Sequence, residues 1–393
     1  MEQSWASLRG PMLRPTPGGR AANNTVHAEV PAFPPPDHTP EAAQDGTLAL
    51  GWFWNAEQQE WQLARIAAEH RAAHLYTAGS TGVGKTRFLE FIIRQLIETG
   101  QGFCVIDPHG DLCEEVKGFL VEAYRRADKE DALRGVVVVD PTDPDYSATF
   151  NSLEELPSVS SAEQAQELVG AFKHIWEDSW GPRMEDMLRN SLIALGEAGL
   201  TLGHLPHLLT SKPFRTQVLE RVTHPITRSY FARFEQLTSR YRLVWMEPVM
   251  NKVNAFLSDE RVRLMLSQPR SSFNLRDIMD NRGVLLIKVE RGKLRESADL
   301  VGSLFMANIQ MAVFSRSDTP PSRRVPWTLV VDEFQRFATT AFGVMLAECR
   351  KHAVTVALAN QTLEQIPPDV RSVVLGTLAS RGTSASTGRM PRP

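Results

Sequence analysis

The sequence predicts an α/β protein in which a mostly parallel sheet is covered by helices on both faces. Short apolar runs alternate with helical patterns, as is typical of parallel strands that are buried on both sides. The interval 160–280 differs, because its apolar residues recur at helical spacing without strand-like alternation, which predicts an all-α insertion. The six apolar runs lie at residues 73–78, 102–107, 135–140, 283–289, 327–333 and 354–361.

These patterns divide the chain of 393 residues into five segments. Residues 1–50 are rich in Pro and Gly and lack periodicity, so we expect a disordered leader. The α/β core is expected in two parts, 51–155 and 281–380, on either side of the all-α insertion at 156–280. Residues 381–393 are small and polar, and we expect an irregular tail.

Two segments of the core carry weaker patterns. Residues 50–74 contain three of the eight tryptophans, and we expect this segment to pack on the first core strand. Residues 370–380 read VRSVVLGTLAS and look like the approach to a further core strand.

Composition and charge restrict the classes of function. The formal net charge is −3, so any contact with nucleic acid must depend on local basic patches. Cys104, Cys113 and Cys349 are scattered without metal-ligand spacing, which indicates reduced thiols. Apolar runs long enough to cross a membrane and the apolar region of a signal peptide are both missing from the sequence. We therefore expect a cytoplasmic protein without a membrane anchor, located at the inner membrane only through partners.

The strongest functional signal is a glycine-rich loop between the first core strand and a periodic helix. Residues 79–86 read GSTGVGKT and match the Walker A pattern G-x-x-x-x-G-K-[ST] in strand–loop–helix context. Glycines let successive backbone N–H groups point inward as an anion nest, and the start of the helix adds its positive end. A glycine-rich turn without chemistry is the alternative. The pattern favours a nucleoside-triphosphate site, with ATP as the expected nucleotide.

Each residue of this loop has an expected part in the site. Lys85 adds a full positive charge at the phosphates, and the Thr86 hydroxyl can coordinate Mg²⁺. The predicted nucleotide-binding residues are Gly79, Ser80, Thr81, Gly82, Val83, Gly84, Lys85 and Thr86.

A second motif supplies the groups that hydrolysis requires. The apolar run at 327–333 ends in Asp332 and Glu333, as a Walker B strand does. Asp332 is expected to hold Mg²⁺ directly or through water, and Glu333 to polarise the attacking water as a general base. Alternatively, the two acids begin the next helix, where acidic residues are favoured. The upstream phosphate loop favours the catalytic interpretation.

Polar residues also end two other predicted strands. Gln361 follows the run at 354–361 and could sense the γ-phosphate or orient water, unless it caps a helix together with Asn360 and Thr362. Asp107 and His109 follow the run at 102–107 and are expected to line the nucleotide site at the same edge of the sheet.

Taken together in order, these motifs resemble the FtsK–HerA superfamily of DNA-pumping ATPases. The series GSTGVGKT, VIDPHGDL, WGPRMEDMLRNSL, LVVDEFQRF and CRKHAVTVALANQTLEQI covers roughly residues 70–378 and is most similar to HerA-like and TraG/TraD-type conjugative coupling proteins. The resemblance implies a RecA-like motor that uses ATP and Mg²⁺ to move DNA through the pore of a hexameric ring. It also implies that an arginine of a neighbouring subunit completes each nucleotide site.

The resemblance leaves three functions open. The first is an ATP-hydrolysing DNA translocase of conjugative transfer, a type IV secretion coupling motor that binds DNA without regard to sequence and works with a relaxase or a secretion channel. The second is a HerA-like motor paired with a nuclease in repair or defence. The third is a nucleotide-binding remnant without motor activity, because family members continue beyond the irregular end of this chain and we expect a truncated C-terminus.

Basic residues occur beside aromatic ones in the predicted insertion. Residues 227–242 read TRSYFARFEQLTSRYR and would suit a single-stranded nucleic acid, although an amphipathic helix with solvated arginines is the favoured interpretation. Arg323 and Arg324 lie on a Pro-rich loop and could line a pore, but a plain surface loop is favoured there too.

Overall fold

The computed structural model describes residues 47–55, 57–66, 74–146 and 148–382. Within them, the strands are β1 (Leu48–Asn55), β2 (Glu60–Ile66), β3 (Leu75–Ala78), β4 (Gly102–Asp107), β5 (Val136–Val139), β6 (Val284–Lys288), β7 (Trp327–Val331) and β8 (Val354–Asn360). The helices of the first half are α1 (Lys85–Glu98), α2 (Asp111–Arg126), α3 (Ser161–Ile175), α4 (Pro182–Glu197), α5 (Leu205–Thr210), α6 (Lys212–Arg221) and α7 (Pro225–Gln236). Those of the second half are α8 (Ser239–Leu257), α9 (Glu260–Leu266), α10 (Leu275–Asp280), α11 (Arg291–Leu294), α12 (Glu296–Ser315), α13 (Thr340–Glu348) and α14 (Pro368–Gly382).

Strands β3 to β8 form one parallel sheet in the order β3–β8–β7–β4–β6–β5. This confirms the predicted α/β class, and each of the six predicted strands is present. The order places β8 between β3 and β7, so the strand before the glycine-rich loop pairs with the last strand of the described residues. As a result, the polar ends of β3, β8, β7 and β4 lie side by side at the carboxyl edge of the sheet.

The sheet is covered on both faces, as the apolar runs predict. In β4, Phe103 and Val105 contribute to a core shared with α1 and α2. Cys104 and Ile106 contribute to the core on the opposite face, which also contains the apolar residues of α12 and α3. This alternation follows from the period of two along a strand.

Helices α3 to α10 form the helical insertion between β5 and β6. Their apolar residues share one continuous core with α12 and the sheet, so the insertion packs firmly against the core. In α3, Leu168 and Phe172 are buried on the face that the sequence pattern indicates.

Residues 48–66 form an antiparallel hairpin. Leu48, Leu50 and Ile66 join the hydrophobic cluster to which Leu75 of β3 also belongs, in line with the expected packing of segment 50–74 against the first core strand. The hairpin contacts α1, where Gln95 Oε1 accepts from the Ala49 amide at 2.8 Å and Gln95 Nε2 donates to the Ala49 carbonyl at 3.0 Å. A register shift at Gly51 interrupts the alternation of β1, which hid the strand pattern in the sequence. The expected leader overlaps this hairpin from Leu48, whereas residues 1–46 lie outside the described residues.

The segment 370–380 belongs to helix α14, and the further core strand expected after it lies outside the described residues. Val370 and Val374 lie four residues apart and are both buried, which is the spacing of one helical face. Most of the predicted tail, 383–393, lies outside the described residues.

One helix among the described residues, α12, is long and apolar enough to cross a membrane by length and composition alone. Eighty-nine per cent of its most apolar window is buried inside the protein, as in the core helix of a folded domain. Its apolar character therefore has an explanation in the packing of the core, and it is weak evidence for a membrane span.

Candidate functional site

The glycine-rich loop connects β3 directly to α1 at the carboxyl edge of the sheet. Gly82 and Gly84 have φ angles of 83° and 95°, a region that L residues rarely adopt. At Gly79, an added Cβ would lie 2.7 Å from a methyl group of Val83, so the loop closes tightly on itself. This left-handed path lets backbone amides face one point, as an anion nest requires.

The Lys85 side chain folds back over the loop. Its ammonium donates to the carbonyl of Gly79 at 2.7 Å and to that of Ser80 at 3.2 Å. The full charge is therefore held at the mouth of the nest, where an anionic ligand would meet both the amides and the ammonium.

Thr86 and Asp332 meet although 246 residues separate them in sequence. The Thr86 hydroxyl donates to Asp332 Oδ2 at 3.2 Å, and the Asp332 amide donates to the carbonyl of Ile106 at 3.1 Å. Asp332 is 4% exposed, and its burial, together with the negative charges of Asp107 and Glu333, raises the pKa of its carboxyl. A cation beside Asp332 would relieve this cost.

This pair of oxygen donors suits Mg²⁺. Magnesium prefers oxygen ligands, keeps several waters and takes only one or two protein groups when phosphates complete its shell. Within the described part of the chain, no cluster of three His, Cys, Asp or Glu side chains could form an all-protein metal cage. A hydroxyl and a carboxylate at the edge of a phosphate loop therefore fit the predicted cation.

Glu333 is buried and lies in the left-handed region, with a φ of 48°. Gln335 Nε2 donates to its Oε2 at 2.6 Å, and Gln361 Nε2 donates to its Oε1 at 3.3 Å. Glu333 is the residue before a single 3₁₀ turn, Phe334–Arg336, as the alternative expected, but its carboxylate makes no capping hydrogen bond to that turn. This geometry is compatible with a carboxylate that is held for chemistry.

The two polar residues at the end of β8 have separate partners. Asn360 accepts from the Tyr76 hydroxyl at 2.6 Å and donates to the Thr362 carbonyl at 2.7 Å, which fixes the strand end beside β3. Gln361 points instead to Glu333, between the phosphate loop and the end of β7. This placement favours the predicted sensing role of Gln361 over the capping alternative, and that role stays a prediction.

Asp107 lies at the same edge, but its carboxylate has partners of its own. Oδ1 accepts from the His109 amide at 2.8 Å, and Oδ2 accepts from the Cys113 amide in the first turn of α2 at 3.0 Å. Asp107 thus supports the loop after β4, and its expected place in the nucleotide site stays a prediction. The His109 side chain is exposed beside this loop, and its expected contact with nucleotide stays a prediction.

Gln335 is a residue of this site that the sequence reasoning missed. It lies only two positions after Glu333. Its position just after a predicted Walker B strand was therefore the one feature of the sequence that could have indicated a role in the site. Glutamine is common in surface turns, however, and nothing in the pattern indicated that its amide would meet the carboxylate.

The aromatic residues of the insertion are mostly core residues. Tyr230, Phe231 and Phe234 are 3%, 0% and 0% exposed, whereas Tyr241 is 61% exposed. Arg242 pairs with Glu235. The favoured interpretation as an amphipathic helix therefore holds for α7.

Arg324 on the Pro-rich loop also has a structural role. Its guanidinium donates to the carbonyls of Arg316, Thr319 and Lys351, which fastens the loop to the neighbouring chain. This residue is accordingly part of the framework and does not project as a free cation.

Comparisons with known proteins agree with this architecture. A family model described as the type IV secretion-system coupling protein DNA-binding domain matches residues 62–368. The bacterial conjugative coupling protein TrwBdeltaN70, in its unbound monoclinic form, has a TM-score of 0.55 at 16% identity, with 80% of this chain and 68% of that chain covered. Plasmid coupling protein TrwB in complex with ADP and Mg²⁺ has a TM-score of 0.54 at 16% identity, with 81% and 70% covered. TrwB in complex with the non-hydrolysable ATP analogue ADPNP has a TM-score of 0.51 at 17% identity, with 80% and 70% covered.

At these identities, the solved structures show a shared fold. No curated protein sequence matches this chain.

Proposed function

Because this chain belongs to the family of the type IV secretion-system coupling protein DNA-binding domain, we propose that it is an ATP-hydrolysing motor that moves DNA in conjugative transfer. The observation that carries the proposal is the contact between Thr86 and Asp332 at 3.2 Å. It joins the phosphate loop to the acidic strand end in a single site, which is the arrangement that a phosphoryl-transfer enzyme needs.

The loop and Lys85 would bind the triphosphate. Backbone amides, the start of α1 and the Lys85 ammonium supply positive potential where the β- and γ-phosphates would lie. Thr86 and Asp332 would hold Mg²⁺, which neutralises charge on the phosphate oxygens when it is bound. TrwB structures in complex with ADP and Mg²⁺, and with an ATP analogue, support this assignment by analogy of fold.

Glu333 would act on the water that attacks the γ-phosphate. Its carboxylate is buried away from bulk solvent and is oriented by two side-chain amides. It can therefore accept the proton of the attacking water. Gln361, between the phosphate loop and Glu333, would contact the γ-phosphate or the water and report whether triphosphate is present. Loss of the γ-phosphate would then change the contacts of this sheet edge.

DNA would be the load of this motor, held through its phosphates without regard to sequence. The formal net charge of −3 means that local groups must supply these contacts. We propose that the chain works as a ring, with six subunits as the expected number, so that one subunit completes the nucleotide site of the next. A relaxase or a secretion channel would be its partner, and such partners would bring it to the inner membrane.

The rate of ATP hydrolysis, measured with and without DNA over a range of protein concentrations, tests this function. We expect a rate that rises with DNA and with protein concentration, because a ring must assemble. Lys85→Ala should lower hydrolysis and nucleotide binding by at least about 100-fold, since a charged group at the phosphates is lost. Lys351→Ala, at a lysine that is 67% exposed, is the matched control and should retain full activity. Hydrolysis that is absent at every concentration, or that survives in Lys85→Ala, would refute the proposal.

A further inference from the structure

The carboxylate of Glu333 is held between two side-chain amides. Gln335 Nε2 lies 2.6 Å from Oε2, and Gln361 Nε2 lies 3.3 Å from Oε1. The shorter of these bonds comes from Gln335, two residues along the same turn. A hydrogen bond to an ionised carboxylate is among the stronger side-chain contacts, so Gln335 contributes much of the force that orients Glu333.

The order of the strands explains how Gln335 and Gln361 orient the Glu333 carboxylate. Gln361 directly follows β8, which lies between β3 and β7, so its amide reaches Glu333 from the strand that neighbours β3. With Oε1 facing Gln361, the bond from Gln335 to Oε2 fixes the remaining rotation of the carboxylate. The two amides together therefore fix the orientation of both oxygens of the Glu333 carboxylate.

The turn that carries Gln335 is itself anchored to other elements. His174 Nε2 of α3 lies 3.0 Å from the Arg336 carbonyl, and the Arg336 guanidinium faces Asp299 of α12 at 3.8 Å. Gln335 lines a cavity of about 530 Å³ between these elements, and its Oε1 is buried without a hydrogen-bond partner. The amide nitrogen is thus directed to the carboxylate although the oxygen gains no partner, which indicates that the contact with Glu333 determines the conformation.

From this geometry we propose that Gln335 is a positioning residue for the catalytic carboxylate, acting on hydrolysis only through Glu333. The proposal rests on the ATP hydrolysis proposed above. Without the Gln335 amide, Glu333 would keep only the longer bond from Gln361 and would rotate away from the attacking water. A general base contributes about 10²- to 10⁴-fold to a rate, so partial misorientation should lower kcat by about 10-fold.

The effect should fall on kcat and not on nucleotide binding. Gln335 contacts the Glu333 carboxylate, whereas the phosphate loop and Thr86 are the proposed ligands of the nucleotide and its Mg²⁺. KM and the affinity for a non-hydrolysable ATP analogue should therefore stay within about twofold of wild type, because the lost interaction serves the transition state.

A double-mutant cycle on the full chain separates positioning from general damage. Gln335→Met keeps the length of the side chain and removes the donor, and Gln335→Ala serves as the second variant if methionine disturbs folding. Each is combined with Glu333→Gln. Glu296→Ala, at an exposed residue of α12 that lines the same cavity, is the matched control and should keep wild-type kcat.

The effects of the Gln335 and Glu333 substitutions on kcat should not be additive. Gln335→Met should lower kcat about 10-fold in the wild-type background and change it less than twofold in the Glu333→Gln background. An equal loss in both backgrounds, or an unchanged kcat with Glu333 present, would overturn the positioning role. If instead Glu333→Gln hydrolyses ATP as fast as wild type, the proposed function itself is wrong, so the two failures are distinguishable.

Discussion

Replacement of Asp107 tests whether this residue is a structural support or a nucleotide ligand. The α2 helix starts after Gly110, which has no side chain to cap it. Asp107, which is 1% exposed, takes that role by accepting from the amide of Cys113 in the first turn and from the amide of His109. Removal of the carboxylate would leave both amides without this acceptor.

The magnitude follows from these two bonds. A hydrogen bond to a charged group contributes about 1.5–3 kcal/mol, and an unsatisfied buried donor costs a similar amount. Asp107→Asn keeps one acceptor oxygen but places an amide N–H next to a backbone N–H, where two donors cannot bond. We therefore expect the free energy of unfolding to fall by about 2 kcal/mol. Asp107→Ala removes both acceptors, so we expect a loss of about 4 kcal/mol in the free energy of unfolding.

Urea unfolding followed by tryptophan fluorescence measures these losses, with nucleotide affinity measured in parallel on the folded protein. Asp111→Asn, at an exposed acid in the first turn of the same helix, is the control and should cost less than about 1 kcal/mol. Nucleotide affinity of Asp107→Asn should remain within a few-fold of wild type. Unchanged stability together with an affinity lowered more than 10-fold would refute the structural account and favour a ligand role.

Two further predictions concern partly buried charged residues. Lys288 donates to Glu114 at 2.9 Å and contacts Asp140 at 3.1 Å; burial alone lowers its pKa, but these two partners raise it above its ordinary value. Lys288→Met should therefore cost about 1–2 kcal/mol in urea unfolding, because the mostly buried Asp140 loses its cation, whereas Glu114 is 49% exposed and keeps Lys117; an unchanged midpoint would contradict this. Burial raises the pKa of Glu167, an effect that the hydrogen bond from Gln310 only partly offsets. A carboxyl whose pKa is raised by folding contributes to the free energy of unfolding while it is protonated. This contribution is fully present below the pKa of the unfolded state, about 4.3, and is lost as pH rises through the pKa of the folded state. The thermal midpoint of Glu167→Gln minus that of wild type should therefore be larger at pH 7.5 than at pH 4.5. An equal difference at the two pH values would show that the pKa of the Glu167 carboxyl is not raised.

The fold class was predictable because its signals are local. Each core strand of the parallel sheet is a continuous apolar run, and the pattern GSTGVGKT marks its own strand and helix. The residues of the insertion, such as Leu168 and Phe172, recur at helical spacing and are buried as expected. Family membership also followed from the order of the motifs.

Other features depend on contacts that no local pattern encodes. The pairing of β3 with β8 joins Leu75 to Ala357, so the strand order could not be read from either segment. The hairpin at 48–66 was hidden by its register shift at Gly51, and its docking depends on Gln95 of a distant helix. At 370–380, the sequence pattern did not reveal helix α14, whose buried residues include Val370 and Val374.

The site shows the same division. The sequence predicted that Lys85, Thr86 and Asp332 lie close together. Lys85 and Thr86 belong to the Walker A loop and Asp332 to the Walker B strand end, and these two motifs meet at the same edge of a parallel sheet. Gln335 could not, since its role comes from the turn geometry after Glu333. The hydrogen bonds of Asp107 to the amides of His109 and Cys113 could not be predicted either, because a strand-end aspartate is equally typical of ligands and of helix caps.

The central claim is that the phosphate loop and Asp332 together bind a magnesium–triphosphate complex. The most direct test is the affinity for a fluorescent ATP analogue, measured with Mg²⁺ and with EDTA, for wild type and Asp332→Asn. The account predicts that Mg²⁺ tightens binding to wild type by 10-fold or more and that Asp332→Asn loses most of this gain while it still binds the free nucleotide. An equal effect of Mg²⁺ on both proteins would contradict the claim.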